Sequence, residues 1–329
     1  MTRPSRRMRA LLALALMLAS ACAFAQPAQK VPRIGMLFAP PEAVHAPLRD
    51  AFLQGLRDLG YEEGRTIVLE KRYAEGHPER LPKLASELVE LKVDVIVTAA
   101  FPAINAARQA TTTIPIVFAA TGDPVAAGHI SSLARPGGNI TGLSVLATET
   151  TPKRLQLLKD VHPGAARVAL LFNPTDFGMT VRVTEAQSAA RALGIAATTH
   201  EVRNSADFDR AFAAMEKARP DALLAVVDAV TLQNRRRIVE FAAANRIAAV
   251  YETSEFVESG GLMSYGPSVA DNYRRAANYV DRILKGAKPA ELPVEQPSKI
   301  ELVINAKSAR ALGLVIPQSV LLRADRIID

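Results

Sequence analysis

A single cysteine, no tryptophan and five histidines in 329 residues remove several chemistries before any motif is sought. Cys22 lies in the first 25 residues, so a chain shortened there has no disulfide, no thiolate nucleophile and no cysteine-bound metal. His45, His77, His129, His162 and His200 fall one to a segment, with no H-x-x-H spacing. A metal centre needs three or four converging ligands, so none is expected. No cofactor is expected either, because G-x-G-x-x-G, P-loop and G-x-S-x-G signatures are all missing. Beyond the N-terminal segment, no stretch approaches the roughly 20 apolar residues of a membrane span. The one triple-basic run, Arg235-Arg236-Arg237, reads as a solvated helix face and not as a nucleic-acid footprint.

What is present begins with an export signal. Arg3, Arg6, Arg7 and Arg9 precede the apolar run Leu11–Ala19, and Ala23-Phe24-Ala25 supplies small residues for cleavage. Basic, apolar and small-residue regions in that order make a secretory leader. Cleavage after Ala25 is expected, leaving Gln26 first and placing the protein in the periplasm. Lipidation at Cys22 is disfavoured because Leu18 stands four residues ahead of it, where three is usual. Removing the four leader arginines takes the net charge from +7 to +3, a mildly basic surface.

The remainder is organised as two arrays of alternating strands and helices. In the first, the apolar runs Arg33–Phe38, Val93–Ala99 and Ile114–Ala120 alternate with amphipathic helices at Pro47–Leu59, Pro78–Lys92 and Pro102–Gln109. In the second, Arg167–Phe172, Ala222–Val227 and Ala248–Tyr251 are strands, with helices at Pro152–Val161, Met179–Leu193, Ser205–Ala218 and Leu232–Ala244. Continuous apolar strands alternating with helices predict a parallel sheet covered on both faces. The expected fold is α/β, two similar lobes each with a doubly wound parallel sheet. The predicted division is a leader at 1–25, a first lobe at 31–122 plus 262–297, a second at 140–256, and a C-terminal crossing strand and helix at 298–329.

In open parallel sheets, ligands bind beyond the carboxyl ends of the strands. Those ends supply the candidate binding residues: Phe38, Ala100, Phe101, Thr121, Asp123, Asn173, Asp228, Tyr251 and Glu252. Facing one another, the two edges would present Asp123, Asp228 and Glu252 to an ammonium group and Phe38, Phe101 and Tyr251 to an apolar or cationic group. Structural alternatives accompany them: Asp123-Pro124 as a turn, Asp228 as a helix N-cap, and Phe38 and Tyr251 as core.

The segments Arg57–Gly64, Tyr73–Gly76, Arg80–Pro82, Lys92–Val97, Thr113–Pro124 and Ser132–Ser144, continued by Arg191–Gly194, Phe256–Pro267, Leu292–Pro297 and Ala311–Leu314, carry a resemblance along nearly the whole mature chain. The chain resembles the substrate-binding proteins of bacterial ABC transporters, in the type I periplasmic-binding fold and its tryptophan/tyrosine-like family. The resemblance implies a non-catalytic receptor that closes on a small-molecule solute, amino-acid-like or otherwise organic, and docks on a membrane permease; a monomer is expected. Hinge strands are implied near Thr121–Gly128, Ser254–Tyr265 and Pro297–Asn305. The chain departs from the family pattern at Phe101, where a small polar residue is usual, and at Thr175-Asp176-Phe177-Gly178. Two other classes stay open: an exported hydrolase or isomerase using Asp123 and Asp228 as acid and base, and a sensory subunit.

Overall fold

The computed structural model describes residues 31–145, 150–175, 179–297 and 299–329; the leader, its cleavage point and Cys22 lie outside them, as do residues 176–178. The first array runs β1 (Arg33–Phe38), α1 (Glu42–Asp58), β2 (Val68–Tyr73), α2 (Leu81–Glu90), β3 (Val95–Thr98), α3 (Phe101–Ala110), β4 (Ile116–Thr121) and β5 (Ile140–Ser144). It forms a parallel five-stranded sheet in the order β2-β1-β3-β4-β5.

The second array runs α4 (Thr150–Val161), β6 (Arg167–Phe172), α5 (Met179–Ala192), β7 (Ala196–Glu201), α6 (Asp207–Ala218), β8 (Ala222–Ala225), α7 (Ala229–Gln233), α8 (Arg235–Ala244), β9 (Ala248–Tyr251), α9 (Ser254–Glu258) and β10 (Met263–Pro267). After α10 (Val269–Leu284) come β11 (Ile300–Asn305), α11 (Ala306–Leu312), α12 (Gln318–Leu321) and β12 (Arg326–Ile328). The second sheet has seven strands in the order β12-β11-β10-β9-β8-β6-β7. Its first five in chain order, β6 to β10, repeat the arrangement of β1 to β5, so the lobes share one winding pattern.

Each sheet is buried on both faces because its central strands are apolar on both faces. Ile34, Met36, Val95, Val97 and Val117 point toward α1 and α10, while Leu37, Ile96, Ile116 and Phe118 point toward α2 and α3. In the second sheet Val168, Leu170 and Leu224 fill one side, and Ala169, Leu171 and Leu223 the other. The edge strand β2 carries charge instead: Lys71 pairs with Glu63, Arg72 with Glu87 and Arg33 with Glu70. Such charge discourages further strand pairing at an edge.

The C-terminal third departs from the expected division. Met263–Pro267, assigned above to the first lobe with the rest of 262–297, pairs with β9 and β11 in the second sheet. The remainder of that stretch packs on the first lobe, where Tyr273, Ala276, Ala277 and Val280 of α10 join Phe52, Leu56 and Leu292 in one core and Val294 enters the other. The strand β11 does not return to the first lobe; it runs antiparallel to β10 and extends the second sheet, and β12 lies beyond it. The chain therefore passes between the sheets three times, between Ser144 and Thr150, between Pro267 and Val269, and between Glu295 and Ile300. The implied hinge at Thr121–Gly128 is not one of them, because β5 follows it in the same sheet.

Candidate functional site

Strand order reverses between β1 and β3 in one sheet and between β6 and β8 in the other. Beyond the carboxyl ends of strands at such a reversal, a crevice opens between the diverging connections. The second-lobe crevice is marked by Asn173, after β6, and Asp228, after β8; Asn173 Nδ2 donates to Asp228 Oδ2 over 2.6 Å. Both side chains are buried, yet they are polar and meet where the sheet gives way to loops.

Asp228 has a structural task as well. It caps α7: its Oδ1 accepts from the Thr231 amide at 2.8 Å and the Thr231 hydroxyl at 2.8 Å, while the Asp228 amide donates back to Thr231 Oγ1 at 2.9 Å. This capping box starts α7 at Ala229, ahead of the Leu232 start expected from sequence. The segment then breaks at Asn234, whose amide group donates to Val230 O and Ser205 Oγ.

The helix that Asp228 caps touches the other lobe. Ala229 packs against the first-lobe core that holds Leu37, Ala39 and Ala74. Gln233 lies over Gly76, where an added Cβ would sit 2.4 Å from its Nε2. Gly76 has φ of +80°, a conformation that glycine adopts without the strain a side chain brings. The strand-end edges of the two lobes are thus brought together at the Tyr73–Gly76 turn and α7.

Glu252, expected to offer a carboxylate to a ligand, is engaged by protein groups. It is 6% exposed, and its Oε1 accepts from Arg154 Nη1 at 3.0 Å. Its Oε2 accepts from Arg182 Nη2 and from the Val227 amide at 3.2 Å. Burial alone would raise this carboxyl; Arg182, Arg154 and the Val227 amide outweigh it and hold Glu252 below the usual range. Arg154 is wholly buried, and burial draws its pKa down to about 10 against the opposing pull of Glu252. Neither arginine was singled out from sequence. The legible signal was Arg154 itself, standing in line with Leu158 and Val161 on the apolar stripe of α4.

The remaining candidates divide. Asp123 is exposed, and its Oδ1 accepts the Val125 and Ala126 amides at 2.9 Å each, which makes it a turn initiator. Phe38 and Tyr251 are interior rings at 1% and 0% exposure, not cleft surfaces. Phe38 stacks on His45 at 3.8 Å and Tyr251 on Phe256 at 4.7 Å. Thr121 is buried at the end of β4, where its carbonyl accepts the Val145 amide. Ala100 holds φ of +62° and ψ of 152°, fixed by its amide's bond to Ala120 O at 2.8 Å. Strained backbone of this kind in a non-glycine residue gathers at binding and catalytic sites. Phe101 follows it, half-buried, stacked 5.1 Å from His129. The His129 ring is shut from water with neither nitrogen hydrogen-bonded, and burial, aided by Arg108, takes its pKa to about 4. His45 falls to about 3 for the same reason, burial first and Arg49 second, while its Nε2 meets Tyr273 Oη at 3.0 Å.

A groove of about 870 Å³ between α4 and α5 is lined by Pro152, Gln156, Glu185 and Ala189. Among the described residues no cluster of histidine and carboxylate side chains could hold a metal, and no helix is long and apolar enough to cross a membrane.

Two α/β lobes with one winding pattern, crossed three times by the chain and meeting at their strand ends, define a solute-receptor architecture. The chain belongs to the ABC transporter substrate binding protein family, whose pattern matches residues 43–328. Members of that family bind small ligands outside the cytoplasmic membrane, in the periplasm or beyond, for an ABC importer. The chain is 26% identical over 266 residues to a tyrosine-binding protein of Clostridioides difficile (strain R20291), spanning 81% of this chain and 76% of that protein. Its structure is similar to a conserved domain protein of Vibrio cholerae, with a TM-score of 0.85 and 29% identity over 91% of this chain and all of that one. It is also similar to the ABC domain of Streptococcus pneumonia in complex with L-Trp, at a TM-score of 0.84 and 26% identity over 90% of this chain and 99% of that one.

Proposed function

We propose that this protein captures an amino-acid-like organic solute between its two lobes in the periplasm and delivers it unchanged to the membrane permease of an ABC importer. It acts as a monomer, without a nucleic-acid partner. The observation that carries the reading is the meeting of the two strand-end edges, with the polar Asn173–Asp228 pair at the second-lobe crevice and α7 against Gly76. Closure on a solute there excludes water and strengthens each polar contact, and the solute's preference for the closed form drives the motion. The kinship with proteins named for tyrosine and crystallised with L-Trp supports an amino-acid-like ligand. Asn173, Asp228, Thr121, Ala100 and Phe101 are the residues proposed to line its site.

A catalytic reading would use Asp123 and Asp228 as acid and base. Each has other work: Asp123 fastens its own turn at the surface, and Asp228 caps α7. That division supports a receptor over an enzyme. Native mass spectrometry of protein taken from its own periplasm tests the point, followed by incubation with the recovered solute. A bound small molecule that stays chemically intact through repeated cycles is the expected result; its steady conversion to another mass overturns the receptor reading.

Asp228→Asn isolates the proposed ammonium contact. Asparagine caps a helix as well as aspartate does, so α7 survives the change. If Asp228 holds a solute ammonium, affinity falls by about 1.5–3 kcal/mol, the range for a charged hydrogen bond. Calorimetric titration reads this directly, and unaltered affinity removes Asp228 from the contact.

A further inference from the structure

Of the three passages between the lobes, the second is the shortest. β10 ends at Pro267 and α10 begins at Val269, so Ser268 alone separates them, against residues 145–149 and 296–299 in the other two. Each neighbour of Ser268 is fixed in its own lobe. Pro267 stands opposite Ile300 in the ladder that joins β10 to β11, inside the second sheet. α10 lies tight on α1 of the first lobe: a Cβ added at Gly55 would sit 2.2 Å from Arg274 O. The carbonyl of Ser268 already belongs to α10, accepting the Asn272 amide at 3.2 Å, and its hydroxyl accepts the Asp271 amide at 3.4 Å. The peptide plane before Ser268 thus moves with the second sheet, and the plane after it moves with the first lobe. Its own φ of −72° and ψ of 100° are the torsions that separate them.

The other passages are drawn to the same place. Asn272, buried in the first turn of α10, donates from Nδ2 to Ser144 O at 3.1 Å, and the Ser144 amide donates to Glu295 O at 2.8 Å. The first-lobe ends of all three passages are therefore joined by hydrogen bonds. On the second-lobe side, Arg154 follows the first passage and donates from Nε to Tyr265 O at 2.6 Å, just ahead of the second. The β10–β11 ladder joins the second passage to the third. A rotation of the lobes is thereby confined to an axis through this cluster, and domain rotations concentrate in a few residues at the ends of elements. We infer that Ser268 is the pivot of lobe closure: its φ and ψ absorb the rotation, and the two longer passages follow. The inference rests on the two-lobe capture reading above and goes beyond it by locating the motion in one residue.

Three substitutions separate the torsions of Ser268 from its capping bond. Ser268→Ala removes the hydroxyl and keeps ordinary torsions, whereas Ser268→Gly frees them. Ser268→Pro fixes φ at about −65°, close to the −72° found here, and the extended Pro267 suits a following proline. A chain beginning at Gln26 contains no native cysteine, so Lys83→Cys on α2 and Lys217→Cys on α6, both exposed, carry one spin label on each lobe. Pulsed electron resonance then reads the distribution of inter-label distances without solute, after melting temperatures have shown which variants fold. Ser268→Ala should match the parent and Ser268→Gly should be broader. Ser268→Pro should narrow to about half the parent's width, because proline leaves one of the two torsions. A folded glycine or proline variant that matches the parent overturns the pivot, as does an alanine variant that broadens as far as the glycine one. If the proline variant does not fold, glycine against alanine decides. A parent distribution that is already as narrow as that within one lobe, and that neither L-tryptophan nor L-tyrosine shifts, overturns the closure reading and the pivot with it.

Discussion

Arg154 occupies a helical position that its neighbours reserve for apolar residues, and Glu252 is the reason it is tolerated. The three-membered group predicts an asymmetry between variants. Glu252→Gln takes the shared carboxylate from two buried or half-buried guanidiniums and should destabilise the fold by roughly 3–5 kcal/mol. Arg154→Met leaves Glu252 paired with Arg182 and removes Nη2, a buried donor with no acceptor, so urea denaturation should show a distinctly smaller loss. The buried histidines make a second prediction, in pH. Their folded pKa values, about 3 for His45 and about 4 for His129, lie below the ordinary 6.5, so the unfolded chain binds the protons first. Stability is therefore complete above pH 6.5 and declines as pH falls toward 4, by about 1.4 kcal/mol per pH unit for each histidine. Denaturation at pH 7.5 and 5.5 checks this, and His129→Gln should flatten part of the slope. At this scale the sequence revealed local roles and concealed distant ones. Asp123 and Asp228 are readable as turn and cap because their partners lie two or three residues away. Glu252 was recognised as a strand-end carboxylate, but its arginines stand 98 and 70 residues distant, and nothing local announces such pairs.

Among the elements, α7 has the largest consequence for its size. Five residues long, it is the part of the second lobe that rests on Gly76 of the first. Gly76→Ala adds a side chain at positive φ and displaces Gln233. The strain costs about 1 kcal/mol in stability. Solute affinity should fall further than that, because the open form is spared the clash. Calorimetry and thermal melting together separate the two effects; equal losses in both would show that α7 does not govern closure. The central strands were legible because β1, β3, β4, β6, β8 and β9 are short apolar runs that can only be buried. β10 reads as a glycine- and serine-containing strand, and its allotment between lobes depended on pairing that composition does not encode. β12, three residues long with only Ile328 partly buried, gives no pattern at all.

For the whole molecule, the expected leader makes a direct prediction: intact-mass measurement of the protein from its native host should give a chain beginning at Gln26. A mass that includes a diacylglyceryl group on Cys22 would replace that reading with a membrane-anchored one. The three passages of the chain between lobes carry a further consequence, for the order of folding. The first lobe lacks α10, which supplies Tyr273, Ala276 and Val280 to its core, until residue 284 has been made. The second lobe lacks β11 until residue 305 and β12 until residue 328. Neither half is complete on a growing chain, and contacts so far apart in sequence form slowly. The first lobe's core thus waits on a helix that lies beyond the whole of the second array, and neither core is sealed while most of the chain is still being made.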